Sequence, residues 1–294
     1  MIEAAVLGRV GIDLYPNQLE TPLSKVNTYT RFVGGFAGNV TTGLARLGVR
    51  SAIVSRVGDD GHGEFVREWL AANGVDVRFL RTDPYWLTPP TFCEVWPPDR
   101  FPITFYRRPT APDWQLSLDD FDLDEVARAP LLYATGTGLA QSPSLETTLA
   151  ALEEHQGTTV FDLDWRPTLW DRPEEYPALA ADAVAAADIV IGNEDEVEAA
   201  RLRDVSRLVL KRGERGATVY EEGDETDVPG FPVAVVNGLG AGDAFAAAVG
   251  HGLLRGLSLV EAVRRGTVAG ALVAAQLACS EAMPRLEALE AALV

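Results

Sequence analysis

The chain contains few cysteines and histidines and no long apolar run. Its 294 residues include two cysteines, Cys93 and Cys279, and three widely spaced histidines. These are too few for a disulfide framework or for a zinc site built from thiolates. No apolar stretch approaches the length that spans a bilayer, and the N-terminal residues lack the basic region and cleavage site of a signal peptide. We therefore expect a protein of the reducing cytoplasm.

Positive charge is also scarce, and lysine in particular. The chain has 43 acidic and 25 basic side chains, a formal net charge of −18, and its only lysines are Lys25 and Lys211. An acidic surface repels nucleic acid and anionic lipid, so neither is expected as a partner. An anionic substrate would have to be held by local positive groups, which in this chain are mostly arginines.

Three common catalytic motifs are absent from the sequence. It has no G-x-S-x-G elbow of serine hydrolases, no G-K-[ST] of a P-loop and no G-x-G-x-x-G spacing of a dinucleotide-binding turn. These absences disfavour a serine hydrolase, a P-loop nucleotidase and a dinucleotide-dependent oxidoreductase.

Short β-rich runs alternate with runs of helical periodicity along nearly the whole chain. Such alternation is typical of α/β proteins with a doubly wound, mostly parallel sheet and helices on both faces. No linker or repeat divides the chain, so we expect a single domain over residues 1–294. Strands are predicted at 4–15, 51–58, 131–138, 158–165, 188–193 and 207–213, and helices at 37–48, 61–74, 142–155, 174–187, 241–255 and 259–276.

Two segments interrupt this alternation, at residues 16–33 and 85–110. They are rich in proline, threonine and aromatic residues, with β-like pieces at 91–96 and 103–107. Inserted extended strands of this kind predict a small β lid over a site. An exposed aromatic loop is the alternative interpretation.

Glycines cluster in VNGLGAGDAF, residues 236–245. Gly238, Gly240 and Gly242 lead into Asp243 and then into an apolar helical run. Glycines let the backbone approach a ligand, and the free amides at the start of a helix bind anions. A carboxylate beside a bound phosphate makes sense as the base that takes a proton from an attacking hydroxyl. The alternative is a glycine-rich turn followed by an ordinary first-turn acid.

Two polar residues near the N-terminus are candidates for binding a ligand's hydroxyl groups. Asn39 lies at the start of the apolar helix in GGFAGNVTTGLARLG, residues 34–48. The alternative for Asn39 is a helix-start residue whose side chain hydrogen-bonds the backbone. Asp13 ends the first predicted strand, and ligands of open α/β sheets gather at the carboxyl ends of strands. A turn aspartate is the alternative for Asp13.

Charged residues also follow the strand predicted at 158–165. In DLDWRP, Asp162, Asp164 and Arg166 recur at period two, which places them on one face of a strand. An acid and an arginine side by side at a strand end are typical of a polar site. A surface ion pair is the alternative.

Two later motifs each have a local and a functional interpretation. NEDE fits a capping box, with Asn193 as N-cap and Glu196 at the third helical position, and could also contact phosphate or hydrated Mg²⁺. KRGERG places Lys211 at a strand end, within reach of nucleotide phosphates or beside a hairpin turn.

Together these motifs resemble the ribokinase, or PfkB, family of carbohydrate kinases. GGFAGNVTTGLARLG and NGLGAGDAFAAA are similar to the family's N-terminal and C-terminal signatures, about 200 residues apart, and the likeness spans nearly the whole chain. The resemblance implies a ribokinase-like α/β fold with a small β lid. It also implies ATP and Mg²⁺ as cosubstrates and transfer of the γ-phosphate to a sugar hydroxyl.

The resemblance implies a role for each matching residue. Asp243 would be the catalytic base, and the N–H groups of Gly240, Ala241 and Gly242 would form an anion hole for the charge that develops during transfer. The other implied contacts are Asp13, Gly35 and Asn39 for sugar hydroxyls, Asn193 and Glu196 for Mg²⁺ (through water) and phosphate, and Lys211, Gly213, Gly216 and Gly238 for the nucleotide.

A narrower likeness is to the branch of the family that acts on 5-dehydro-2-deoxygluconate, a sugar acid of inositol catabolism. It is carried by residues 8–16, 88–109, 134–139 and 162–167 together with NGLGAGDAF. An acidic acceptor implies a carboxylate-binding arginine, for which Arg107 and Arg166 are the candidates. The alternatives are 2-keto-3-deoxygluconate, fructose or a nucleoside as acceptor, and a non-catalytic sugar sensor.

One position departs from the family pattern. Many relatives carry aspartate where this chain has Asn237, followed by threonines where it has Gly238 and Leu239. Because that aspartate helps to hold an activating monovalent cation, the resemblance does not extend to dependence on K⁺. Lids of relatives often pair between subunits, so a homodimer through the lid is one arrangement that the resemblance allows.

Overall fold

The computed structural model describes residues 1–203 and 205–293, and strands alternate with helices through most of them. The strands are β1 (Ala4–Leu7), β2 (Gly11–Pro16), β3 (Tyr29–Gly34), β4 (Ser51–Gly58), β5 (Leu80–Asp83), β6 (Pro90–Cys93), β7 (Ile103–Phe105), β8 (Leu131–Thr135), β9 (Thr158–Asp162), β10 (Ile189–Asn193), β11 (Arg207–Lys211), β12 (Ala217–Glu221) and β13 (Asp224–Val228). The helices are α1 (Phe36–Arg46), α2 (Gly61–Ala72), α3 (Leu123–Ala127), α4 (Ser144–Glu153), α5 (Tyr176–Ala186), α6 (Glu194–Ala200), α7 (Ala241–Leu254), α8 (Leu259–Ala274) and α9 (Leu286–Leu293).

Within the described residues, nine strands form a main sheet in the order β13-β12-β11-β10-β9-β8-β1-β4-β5. Neighbours from β11 to β5 are parallel, and β12 and β13 add antiparallel pairs at one edge. In β1, Ala4 and Val6 join one buried cluster with α1, α2, α7 and α8, while Ala5 and Leu7 join another with α3 to α6. Both faces are therefore covered. The prediction of a doubly wound, mostly parallel α/β fold is confirmed.

Small residues let α7 pack closely against its neighbours. A Cβ atom on Gly43 in α1 would lie 2.6 Å from the Cβ atom of Ala247 in α7, and one on Gly250 would lie 2.8 Å from the ring of Tyr133 in β8. The Tyr133 hydroxyl donates to the carbonyl of Ala246 at 2.6 Å. These contacts fix the start of α7 beside the carboxyl ends of the strands. Across residues 1–203 and 205–293, no helix has the length and apolar character needed to cross a membrane.

The single strand predicted at 4–15 is wrong. Strand β1 ends before Gly8, whose φ of 149° is a conformation that glycine adopts readily and other residues rarely do. Strand β2 then belongs to a second sheet. The apolar run is continuous because both pieces are buried, so composition alone did not reveal the break. The turn between them brings Arg9 to the carboxyl end of β1.

A small sheet, with strand order β3-β2-β6-β7, lies over this end of the main sheet. Three of its strands come from the segments at 16–33 and 85–110, and β2 is the fourth. Along β6, Thr91 and Cys93 line a cavity beneath the sheet, whereas the Phe92 ring packs with Tyr29 and Tyr106, at centroid distances of 5.2 Å to each. A lid function for these strands stays a prediction, as does the single domain over residues 1–294.

Candidate active site

A cavity of about 370 Å³ lies between the carboxyl ends of the main-sheet strands, the start of α7 and the inner face of the small sheet. It brings together residues from both ends of the chain. Of the residues predicted for the site, Arg107 and Gly216 do not line it. Those that do are Asp13, Gly35, Asn39, Arg166, Asn193, Glu196, Lys211, Gly213, Gly238, Gly240, Ala241, Gly242 and Asp243.

Asp243 lies in the first turn of α7, with its carboxylate in the cavity. Asn39 of α1, which is 3% exposed, donates its side-chain N–H to Asp243 Oδ2 at 2.7 Å. Burial raises the pKa of Asp243 to about 6, and the hydrogen bond from Asn39 limits that rise. The carboxylate is therefore ionised at neutral pH and more basic than a solvated aspartate, which suits a general base.

The backbone before Asp243 exposes N–H groups to the cavity. Gly240 caps α7 with a φ of 82°, and a Cβ atom on it would lie 2.3 Å from the Cβ atom of Cys279. The Ala241 N–H makes a long bond of 3.4 Å to the Gly238 carbonyl, while the Gly240 and Gly242 N–H groups have no acceptor among the described residues. Glycine is thus required at 240 by backbone conformation and close packing, and the free amides can receive an anion.

Asp13 projects from β2 into the cavity. Its carboxyl group lies over Gly34 of β3, where a Cβ atom would be 2.1 Å from Asp13 Cγ. The Cys279 thiol donates to Asp13 Oδ2 at 3.5 Å. Burial raises the pKa of Asp13 to about 6, while the positive charge of Arg9 and the hydrogen bonds from Cys279 and Thr91 lower it.

A row of alternating charges crosses the floor of the cavity. Lys211 Nζ lies 3.0 Å from Asp162 Oδ2 and 3.7 Å from Glu196 Oε2. Arg166 lies 3.0 Å from Asp164 Oδ1 and 3.6 Å from Glu196 Oε1. Asp164 raises the pKa of Arg166, and for Lys211 the carboxylates of Asp162 and Glu196 outweigh burial and raise its pKa as well. Both cations are therefore charged at neutral pH.

The strand placement predicted for Asp162, Asp164 and Arg166 is wrong, although the three side chains do meet. Strand β9 ends at Asp162, and Asp164 adopts a φ of 32° outside it. Asp164 accepts hydrogen bonds from Thr137 at 2.9 Å and from Arg9 at 3.3 Å. These long-range partners, rather than a strand repeat, turn Asp164 into the site.

The capping box predicted at the start of α6 is confirmed. Asn193 Oδ1 accepts the Glu196 N–H at 2.9 Å, and Glu196 Oε2 accepts the Asn193 N–H at 2.8 Å. Glu196 is 3% exposed, yet it lines the cavity. The local and functional interpretations of this motif are therefore compatible.

Mg²⁺ that arrives with a nucleotide keeps water and phosphate oxygens as ligands and needs few protein ligands. Among the described residues, no three His, Cys, Asp or Glu side chains form a group that could hold a metal directly. The Glu196 carboxylate is already bonded to a backbone N–H and lies near two cations. This donor set fits a hydrated ion contacted through water by Glu196 and Asn193, and it does not fit a closed metal site.

Lys211 and Gly213 line the cavity, whereas Gly216 lies behind it. Gly216 has a φ of 91° and packs so closely that a Cβ atom would be 2.1 Å from the Val228 carbonyl oxygen. The tight turn between β11 and β12 explains a glycine at this position, and its contact with the nucleotide stays a prediction.

Arg107 does not reach this cavity. It is 4% exposed, its guanidinium pairs with Asp113, and it lies over the Trp114 ring at 4.4 Å from the centroid. It lines an adjacent cavity of about 260 Å³ instead. Burial lowers the pKa of Arg107, and Asp113 opposes that shift. The sequence did not reveal this buried partner, and a contact between Arg107 and the acceptor stays a prediction that this geometry does not favour.

Arg9 and Cys279 are among the cavity residues that the sequence analysis missed. Arg9 was placed inside a predicted strand, and Cys279 was considered only for disulfide and metal chemistry. The one available signal for Arg9 was its position between Gly8 and Gly11, in a chain where cationic side chains near a site are few.

Residues 1–286 match the model of the pfkB family carbohydrate kinases. The chain belongs to this family. Among its relatives, the 5-dehydro-2-deoxygluconokinase of Geobacillus kaustophilus is 33% identical, covering 98% of this chain and 92% of that protein. The 5-dehydro-2-deoxygluconokinase of Clostridium tetani is 32% identical over the same shares of the two chains.

Solved structures of sugar kinases have the same fold. The sugar kinase PH1459 from Pyrococcus horikoshii in complex with ATP has a TM-score of 0.87 and 27% identity, covering 97% of this chain and 96% of that chain. The fructokinase from Vibrio cholerae, in its fructose, ADP and calcium ion bound form, has a TM-score of 0.87 and 28% identity, covering 100% and 99%.

The protein is therefore a sugar kinase of the PfkB type, an enzyme that transfers phosphate to an alcohol group. The oxidoreductase and sugar-sensor alternatives are not favoured, since the relatives that match 98% of this chain are named as kinases.

Proposed function

We propose that this kinase transfers the γ-phosphate of ATP to a hydroxyl of a sugar acid, 5-dehydro-2-deoxygluconate first among the candidates. The observation that carries the proposal is Asp243, a basic carboxylate in the cavity beside unpaired helix-start amides. The acceptor is suggested by the relatives, which are named for that sugar acid and match 98% of this chain.

In the proposed reaction, Asp243 takes the proton of the acceptor hydroxyl as its oxygen attacks the γ-phosphorus. A new oxygen–phosphorus bond forms, the bond to the β-phosphate oxygen breaks, and ADP leaves. The amides of Gly240, Ala241 and Gly242, at the positive end of the α7 dipole, stabilise the charge on the transferring group. Lys211, whose Nζ lies 3.8 Å from where a Cβ atom on Gly242 would be, adds a positive charge on the same side.

The acceptor would lie beneath the small sheet. Asp13 and Asn39 present hydrogen-bonding groups there, and Gly35, with a φ of 87°, lets the start of α1 approach the ligand. Of the two arginines predicted for the acceptor, only Arg166 lines the cavity, where Asp164 and Glu196 already pair with its guanidinium. Closure of the small sheet would exclude water, which otherwise competes as phosphoryl acceptor.

The nucleotide would run past Lys211, Gly213 and Gly238, with Asn193 and Glu196 contacting Mg²⁺ through water. When bound, Mg²⁺ would neutralise phosphate charge and orient the nucleotide.

The family's monovalent-cation position is occupied here by a neutral amide. Asn237 Nδ2 donates to the Leu277 carbonyl at 2.6 Å and its Oδ1 accepts the Leu239 N–H at 3.1 Å. The side chain thus stabilises the loop without an ion, and we propose that activity does not require K⁺.

The outer face of the small sheet suits a homodimer contact. It carries the packed rings of Tyr29, Phe92 and Tyr106, the last of which is 58% exposed. The proposed dimer would therefore form through the lid.

Release of ADP, measured with sugar acids and neutral sugars in parallel, tests the function. We expect turnover with 5-dehydro-2-deoxygluconate to exceed turnover with fructose and ribose. Activity restricted to neutral sugars would reject the sugar-acid assignment, and absence of turnover with every acceptor would reject catalysis by this site.

A further inference from the structure

The turn between β1 and β2 carries an arginine into the cavity. The Arg9 side chain is 12% exposed. Its carbonyl accepts the Ala37 N–H at 3.0 Å, and a Cβ atom on Gly35 would lie 2.5 Å from that carbonyl oxygen. The backbone of Arg9 is thus held against the start of α1, and its guanidinium projects from a rigid support.

The guanidinium of Arg9 has donors that the protein does not use. Nη2 donates to Asp164 Oδ2 at 3.3 Å, longer than the usual charge-assisted bond. Asp164 is held more closely by Arg166, at 3.0 Å, and by Thr137, at 2.9 Å. The Nε–H of Arg9 is buried without an acceptor, and no hydrogen bond from Nη1 occurs in the described ranges. A ligand with two acceptor oxygens would satisfy this group better than Asp164 does.

Arg9 lies at the acceptor end of the cavity. Its charge acts on both Asp13 and Asp243, lowering the pKa of each, so it lies near the expected acceptor contact and near the base. Its guanidinium carbon is 5.4 Å from the ring centroid of Phe105 in the small sheet. Arg166 also lowers the pKa of Asp243, but its guanidinium is already paired with both Asp164 and Glu196.

We infer that Arg9 binds the carboxylate of the acceptor and thereby distinguishes sugar acids from neutral sugars. The inference rests on the proposed function. Arg9 exchanges its long contact with Asp164 for a two-point pair with the acceptor, while Arg166 and Thr137 keep Asp164 in place.

The charge of the cavity gives a reason for such a contact. Its lining contains five carboxylates and three cationic side chains. An acidic acceptor would be repelled from this lining unless one cation met its carboxylate. The five acids are Asp13, Asp162, Asp164, Glu196 and Asp243, and the three cations are Arg9, Arg166 and Lys211.

The test compares Arg9→Gln, Arg9→Lys and wild type on two acceptors. One is 5-dehydro-2-deoxygluconate, and the other is the neutral keto sugar with a hydroxymethyl group in place of the carboxylate. For Arg9→Gln we expect KM for the acid to rise about 10- to 100-fold, the scale of a lost charged hydrogen-bond pair, with KM for the neutral sugar and for ATP unchanged. Arg9→Lys keeps the positive charge but loses the forked pair of donors, so its KM for the acid should lie between those of wild type and Arg9→Gln.

Arg166→Gln is the matched control. Because Asp164 and Glu196 already occupy the guanidinium of Arg166, this variant should impair both acceptors alike and leave their ratio of kcat/KM unchanged. A fall in that ratio for Arg166→Gln, with none for Arg9→Gln, would overturn the inference.

Failure of the inference can be told from failure of the proposed function. If wild type prefers the acid and Arg9→Gln keeps that preference, Arg9 is not the recognition residue although the proposed function stands. If wild type prefers the neutral sugar, both are rejected. Thermal unfolding and ADP binding check that each variant is folded, and if Arg9→Gln is not, an unchanged acceptor ratio in Arg9→Lys overturns the inference.

Discussion

Replacing Asp243 with Asn removes the proposed base while keeping its shape. The new side-chain oxygen can still accept the hydrogen bond that Asn39 gives Asp243 at 2.7 Å. We expect kcat to fall about 10²- to 10⁴-fold, the scale of a lost general base. KM for ATP should change little, because the helix-start amides are untouched.

The same substitution should stabilise the fold. Burial holds the pKa of Asp243 at about 6 against an ordinary value of 3.8, so ionisation is less favourable in the folded protein. A shift of about 2 units corresponds to at most about 3 kcal/mol. The stability advantage of the Asp243→Asn variant over wild type is absent below the unfolded pKa, grows between about pH 4 and 6, and is complete above pH 6.

The pH dependence of kcat/KM and of thermal unfolding tests both effects. Wild-type kcat/KM should fall below about pH 6 as Asp243 of the free enzyme is protonated. The Asp243→Asn variant should not show this acidic fall in activity. It should unfold at a higher temperature than wild type at about pH 7.5, with a smaller difference in unfolding temperature at about pH 5. Asn39→Ala is the companion variant. The hydrogen bond from Asn39 lowers the pKa of Asp243, so its loss should move the acidic fall in activity to higher pH. Unchanged turnover in a folded Asp243→Asn variant would refute the assigned role.

Three further predictions concern the packing and the ligand contacts. A Cβ atom on Gly242 would meet only Lys211 Nζ, at 3.8 Å, so the Gly242→Ala variant should fold normally. Its added methyl group should displace the phosphate and lower kcat/KM for ATP roughly 10²-fold. Normal ATP kinetics in this variant would contradict the anion hole. Gly43→Ala places a Cβ atom 2.6 Å from that of Ala247. In urea titrations this variant should have an unfolding free energy about 1–3 kcal/mol lower than that of wild type, with unchanged KM values. Equal stability would mean that α1 and α7 can separate freely. Chelation of Mg²⁺ by EDTA should abolish ADP release while calorimetry still detects binding of the acceptor, since no acceptor contact depends on the metal; loss of that binding would place the ion at the acceptor.

The order of elements could be predicted from the sequence because it depends on local signals. Apolar periodicity marked six helices to within about two residues at their ends, including α7 and α8, but it did not predict the short helices α3 and α9. The capping box of Asn193 and Glu196 is encoded within four residues. The glycines before Asp243 likewise predicted a tight turn and a helix start, since the backbone freedom of glycine is a local property.

The partners of charged side chains could not be predicted in this way. Arg107 and Arg9 are both arginines near predicted strands, yet Arg107 pairs with buried Asp113 and Arg9 enters the cavity. The choice depends on which side chains the fold brings within a few ångströms. Local periodicity carries no information on that.

The sequence by itself determined an α/β chain with a glycine-rich, anion-binding helix start and one acid beside it. Only the tertiary structure decided that Gly8 divides the first apolar run between two sheets, and that Asp13 meets Cys279 across 266 residues. It also decided the raised pKa of Asp243, because burial depends on residues from distant parts of the chain. Secondary structure follows from neighbours in sequence, whereas the electrostatics of the site follow from neighbours in space.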